Sequence, residues 1–214
     1  MIKPGEEWGT PTSAAPDIDV TGTDRDLAAA ITSHPGALIR FHPTKSDLAR
    51  AVGVDAGRLN GVEVALDMLR LADGSLAANM IVAGVPPDHL RRFSRRIRVT
   101  VEVDGREWFA GRATTVVVAT GQFLRALDVV PRGHPGDGRA EVQVFAPRIG
   151  ERAAMRARLA NGTHLPHPRI AFRIGRRIDV RWEVERPLEM DGAQVGKTAG
   201  LTIDVVPGGS RLLV

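Results

Sequence analysis

From Gly61 to Val214 the chain consists largely of segments in which apolar and polar residues alternate. Asp-Gly pairs punctuate it at 73–74, 104–105, 137–138 and 191–192. A period of two sends one side of each segment into a core, and Asp-Gly tolerates the positive φ angles of tight hairpins. "GVEVALDMLRLADGSLAANMIVAG" and "IRVTVEVDGREWFAGRATTVVVAT" therefore read as strands folded about their Asp-Gly turns. "AEVQVFA", "RIAFRI", "RRIDVRWEV", "LTIDVV" and "SRLLV" alternate in the same way. One segment, "GERAAMRARLANG", has helical spacing and is closed by Asn161-Gly162. This part predicts a β-sandwich or curled sheet with one helix.

The first part has a different texture. Residues 1–16 contain three prolines and no periodicity, which predicts an irregular arm. "DIDV" and "ALIRF" read as short strands, and "TDRDLAAAIT" as a helix capped by Thr23 or Asp24. "TKSDLARAVGV" reads as a second helix, with Thr44 or Ser46 at its start and Gly53 at its end. This β-α-β-α order favours a small parallel sheet. The expected fold is α+β: an arm (1–16), a truncated α/β lobe (17–60) and a β-sandwich domain (61–214).

Composition limits the chemistry. There is no cysteine, so disulfides, thiolate zinc sites and a cysteine nucleophile are excluded. The N-terminus has no apolar signal-peptide core and no apolar run is long enough to span a bilayer, so the expected location is cytoplasmic. The net charge of +4 invites a polyanion partner, but 26 of the 29 basic residues are arginine, which fits a coding bias. Aromatic residues at 4% leave few stacking platforms, which argues against nucleic acid.

The segment "TTVVVATGQFLRALDVVPRGHPGDGRAEVQVF" resembles the diacylglycerol kinase and bacterial lipid kinase family, whose fold is related to that of the NAD kinases. Pro131, Gly133, Asp137 and Gly138 keep the spacing of its P-x-A-x-x-x-D-G loop, with Gly133 at the alanine. "LANGTHLPHPRIAF" and "PLEMDGAQVG" before "LTIDVVPGGSRLLV" resemble later segments of that family. Asp67, Asn79 and Gly84 match its preceding strand pair. In the first part, Gly22, Asp24 and Leu27 of "GTDRDL" are similar to its glycine-rich phosphate loop, and "PTKSDLAR" keeps Thr44, Asp47, Ala49 and Arg50 of a second motif.

The resemblance implies ATP and Mg2+ as cofactors and a lipid or other phosphate-bearing small molecule as ligand. It implies Gly22, Asp24, Thr44, Lys45 and Asp47 as the nucleotide and phosphate site, Asp137 as a metal ligand and His134 as a ligand contact. The departures point to a degenerate, non-catalytic member. Side chains stand where glycines would let backbone approach phosphate, at 23, 25, 43 and 45. Ala193 occupies the position of the glutamate that is taken in the family to act as base, and an alanine accepts no proton. An active kinase would need a replacement base, with His134 and Glu189 as candidates.

Arg91, Arg92, Arg95 and Arg96, with Arg98, lie beside a short expected helix, "PPDHLRRF". They suit phosphate-bearing head groups and a peripheral membrane contact through Phe93, or they form a solvated helix end. An anionic membrane or nucleic-acid binder is thus a third reading. His164 and His167 lack closing ligands for zinc. The few strands of the lobe leave edges that the arm or a second subunit would cover, which predicts a homodimer.

Overall fold

The computed structural model describes residues 9–54 and 61–214, so the expected boundary between lobe and sandwich at 60/61 adjoins residues outside the described set. Within the expected arm, Thr10–Pro11 form a short strand, β1. There follow β2 (Ile18–Thr23), α1 (Asp24–Ser33), β3 (Leu38–Lys45) and α2 (Asp47–Val52). Thr23 is the N-cap of α1 and is extended (φ −97°). Its hydroxyl accepts from Asp26 N–H while the Asp26 carboxylate accepts from Thr23 N–H at 2.8 Å, a reciprocal capping box. Ser46 caps α2 by accepting from Ala49 N–H at 2.8 Å, and Gly53 ends it in the left-handed region at φ 76°. Of the other two cap candidates, Asp24 is the first residue of α1 and Thr44 belongs to β3.

The remaining elements are β4 (Val62–Leu71), β5 (Leu76–Ala77), β6 (Met80–Gly84), β7 (Ile97–Val103), β8 (Arg106–Ala113), β9 (Thr115–Ala119), β10 (Phe123–Leu124) and β11 (Leu127–Asp128). After them come β12 (Ala140–Phe145), α3 (Arg152–Leu159), β13 (Ile170–Gly175), β14 (Arg177–Met190) and β15 (Ala193–Leu213). The main sheet runs β1-β4-β15-β14-β6-β9-β12-β13. β2 and β3 join it in parallel, Ile18 opposite Ile39 and Leu38 opposite Arg211 of β15.

β14 makes the sandwich. Its first half, Ile178–Trp182, pairs with β7, and its last residues, Leu188–Met190, pair with β6. A register irregularity between Arg181 and Arg186 separates the two halves. The β7/β14 face then packs on the β9/β12 face, burying Val101, Val116, Val142 and Ile178 in one core. The reverse face of β6, β9 and β12 is closed by Met155 and Leu159 of α3. A third core holds Leu27 and Ile31 of α1 against Phe41 and Leu66. Each fully buried Leu, Val or Phe contributes about 1.5–3 kcal/mol relative to exposure.

Two local expectations change. "AEVQVFA" alternates in polarity but not in burial: all six residues of β12 are buried, including Glu141 (4% exposed) and Gln143 (0%). Gln143 Nε2 donates to Glu141 Oε1 at 2.7 Å, so the pair answers part of its own polarity. The expected helix at "PPDHLRRF" contracts to a single 3-10 turn, Pro87–His89, because Leu90 is extended (ψ 115°). Arg91, Arg92, Arg95 and Arg96 stand on the loop beyond it, and Arg98 belongs to β7.

Candidate functional site

Four short pieces of chain meet at a cavity of about 550 Å³: the N-termini of α1 and α2, the β10–β11 turn and the β14–β15 hairpin. Its lining includes Asp24 and Arg25, Lys45 and Asp47, Arg125, and Asp191 with Ala193.

The carboxylates in this lining act as backbone receptors. Asp24 is 4% exposed and accepts from Asp47 N–H (3.0 Å), Leu48 N–H (3.1 Å) and the Ser46 hydroxyl, so the first residue of α1 receives the first two N–H groups of α2 and holds its N-cap. Burial, with a smaller contribution from the nearby Asp191, pushes the Asp24 carboxyl up to about 7 despite those donors. Asp191, left-handed at φ 49°, turns its carboxylate onto Ala78, Asn79 and Met80 N–H at 2.8–3.0 Å. Those bonds tie the hairpin to the start of β6. Burial raises the Asp191 carboxyl as well.

Asp47 receives Ala126 N–H at 2.7 Å and also Arg125 N–H. Arg125 and Ala126 both occupy the left-handed region, at φ 51° and 62°. The turn sends the Arg125 guanidinium onto Asp88, at 2.7 and 2.8 Å, and onto Glu189 at 2.6 Å. Arg50 lies over the Phe123 ring at 4.7 Å. Arg25 and Lys45 make no side-chain hydrogen bond or ion pair with the described residues, although the Arg25 charge acts at longer range on Asp26 and Asp191.

The cavity gathers Asp24, Lys45, Asp47 and Ala193 from the residues singled out in the sequence. Gly22 and Thr44 do not line it. Gly22 is buried under Asp26, where an added Cβ would come 2.3 Å from a carboxylate oxygen, and Thr44 is exposed in β3. Asp137 and His134 belong to a separate cluster. Asp137 accepts from Arg139 N–H at 3.0 Å, a local turn. The grip on that loop comes from Asp67 of β4, which receives Gly138 N–H (2.6 Å) and Gly208 N–H (2.9 Å). His134 stands close enough to Asp67 to act on its charge. Glu189 is committed to Arg125. Arg92, Arg95 and Arg96 line a different groove.

Arg125, Asp88 and the carboxylate role of Asp191 were not visible in the sequence. "LRAL" contains no turn residue, and Asp191-Gly192 reads as an ordinary hairpin. No group of three His, Cys, Asp or Glu among the described residues could hold a metal ion.

The model of the YegS C-terminal NAD kinase beta sandwich-like domain matches residues 51–214. The chain belongs to this family. No curated protein matches the sequence. A solved structure of a diacylglycerol kinase from Bacillus anthracis strain Sterne superposes with a TM-score of 0.75, at 18% identity, over 92% of this chain and 75% of that one. An NAD kinase from Archaeoglobus fulgidus in complex with ATP gives 0.53 at 16% identity, over 92% and 77%. At these identities the likeness establishes the fold, an NAD kinase-like β-sandwich with a small α/β portion. No helix among the described residues is long and apolar enough to cross a membrane.

Proposed function

We propose that the protein is a non-catalytic member of the lipid kinase fold that binds a phosphate-bearing ligand in the 550 Å³ cavity. The observation that carries this reading is the placing of Arg25 and Lys45 beside carboxylates that are all hydrogen-bonded elsewhere. All six side-chain oxygens of Asp24, Asp47 and Asp191 accept hydrogen bonds from the protein. Arg25 and Lys45 share no direct hydrogen bond with these carboxylates, and both line the cavity. Two flexible cationic side chains suit phosphate oxygens as charge partners.

For a magnesium ion these carboxylates would have only the lone pairs that their N–H and O–H donors leave, and no group of three His, Cys, Asp or Glu among the described residues is placed to hold one. Phosphoryl transfer also needs a group to orient and deprotonate the acceptor hydroxyl. Ala193 supplies none, and the neighbouring carboxylate of Glu189 is held by Arg125 at 2.6 Å. The reading is therefore binding without transfer.

Calorimetric titration with ATP, with and without magnesium, tests it. We expect binding that is lost in the Arg25→Ser/Lys45→Ser double variant and no phosphorylation of diacylglycerol. Turnover by the wild-type protein would overturn the non-catalytic reading. Unchanged affinity in the double variant would overturn the site.

A further inference from the structure

On the loop after the Pro87–His89 turn, Arg91 and Ser94 lock each other: Arg91 N–H donates to Ser94 Oγ at 2.9 Å, and Ser94 N–H to Arg91 O at 3.1 Å. The tip between them carries Arg92 and Phe93, and Phe93 is 87% exposed. From below, Arg152 Nη1 donates to both Arg91 O and Arg92 O at 2.7 Å. Arg152 is 5% exposed, and its Nε has no partner among the described residues. A buried guanidinium thus props up an exposed phenyl ring, so the ring's exposure is built into the fold.

Across a groove of about 740 Å³ from this loop stands the start of the α3 region, with Ile149 60% exposed. Arginines supply most of the lining, and no carboxylate contributes to it. The adjacent acid, Glu151, turns its carboxylate back onto Arg148 N–H at 2.6 Å. Among the described residues no ion pair engages the arginines of this groove, and the surface also presents two large apolar side chains from two separate elements.

We propose that this face docks the protein on an anionic phospholipid bilayer, with the arginines against lipid phosphates and Phe93 and Ile149 entering the acyl boundary. A soluble phosphate compound would satisfy the arginines and leave both apolar side chains in water. A nucleic acid offers phosphates but no hydrocarbon. A bilayer interface offers both at the depth of a side chain. The inference does not depend on a ligand in the cavity, though the two lie close in the chain: Asp88, three residues before Arg91, holds Arg125 at the cavity wall.

The test is co-sedimentation of the full chain, without nucleotide, with vesicles of phosphatidylcholine alone or mixed with phosphatidylglycerol. Binding is expected to the mixed vesicles only. Each surface arginine contributes about fivefold, so Arg92→Ser/Arg95→Ser should weaken binding about 30-fold. Phe93→Ser/Ile149→Ser should weaken it several-fold at unchanged net charge. Arg106→Ser/Arg139→Ser, which removes two exposed arginines elsewhere, should leave it within about twofold. All substituted side chains are exposed, and equal melting temperatures would verify folding. Failure to bind phosphatidylglycerol vesicles would overturn the proposal. So would wild-type binding by the Phe93/Ile149 variant, which would indicate a general polyanion patch. Displacement by inorganic phosphate at millimolar concentration would indicate a soluble ligand instead.

Discussion

Asp47 closes on the backbone of Arg125, 78 residues away, and with its second oxygen on Ala126. Through this contact the first residue of α2 determines a turn in the sandwich. Left-handed backbone costs a non-glycine residue roughly 1–2 kcal/mol. Two such residues in succession persist because one carboxylate receives both N–H groups, and because the resulting direction of Arg125 satisfies Asp88 and Glu189.

Removing that carboxylate should release the turn. Asp47→Ala is expected to cost about 1–3 kcal/mol, since two N–H groups lose their acceptor while the backbone strain remains. Urea denaturation would measure the loss. A variant as stable as the wild type would mean that the turn holds itself.

A second expectation concerns pH. The folded Asp24 carboxyl keeps its proton up to about pH 7, against an ordinary value of 3.8. Between those values the folded state binds a proton that the unfolded chain has released, so stability falls as pH rises through the window and levels above it. Asp67 and Glu141 are raised by burial in the same sense. Asp26, lowered by the Thr23 N–H and hydroxyl, and Glu63, lowered by Arg211, act oppositely at the acid end. Asp191 is raised by burial as well, while burial lowers His164, which adds stability as pH rises toward its ordinary value of 6.5 and offsets part of the decline. With three raised carboxyls besides Asp24 against one histidine, the melting temperature should peak at mildly acidic pH and decline toward neutrality. In Asp24→Asn that decline should flatten, and an unchanged profile would assign it to other groups.

The loop at 135–138 offers a third test. Asp67 joins it to the Pro207–Gly209 segment through two N–H groups. Asp67→Asn places an amide NH₂ against one of them, at a cost of about 2 kcal/mol, and should open the loop to proteolysis. Asp137→Asn alters the local bond to Arg139 and removes a like charge near Asp67, and should stay within about 0.5 kcal/mol.

Gly133 stands where the family's loop has alanine, yet a Cβ there would lie 2.4 Å from Gly121 O and 2.7 Å from its carbonyl carbon. The obstacle is backbone, which cannot swing aside. Gly133→Ala should destabilise by about 1–3 kcal/mol in thermal melts. In this chain the smaller residue is a packing requirement, and a neutral outcome would show that the loop can shift.

The cavity floor gives a last expectation. Ala193→Glu adds a negative charge beside Arg25 and Lys45 and should weaken ATP about fivefold by calorimetry, roughly 1 kcal/mol. Tighter binding would mean that the phosphate chain lies away from residue 193.

Short-range chemistry could be read directly from the chain. Thr23, Ser46 and Gly53 bound their helices because a cap acts within three or four residues, and Asp104-Gly105 turns β7 into β8 at φ 51° and 74° as such a pair should. The family-like segments and the α+β order were legible for the same reason, as ordered local patterns. The site was not. Asp191-Gly192 has the same two letters as Asp104-Gly105, but its carboxylate reaches Asn79, 112 residues earlier, because β14 pairs with both β15 and β6. Arg125 sits in a turn without turn residues because Asp47 holds it from another element. Residue order alone determined the hairpins and the alternating strands and narrowed the N-caps of α1 and α2 to two nearby candidates each, between which the structure chose. The cavity and the hydrogen bonding of its carboxylates were decided by tertiary structure, since a carboxylate's partners depend on which distant N–H groups the sheet register brings within 3 Å.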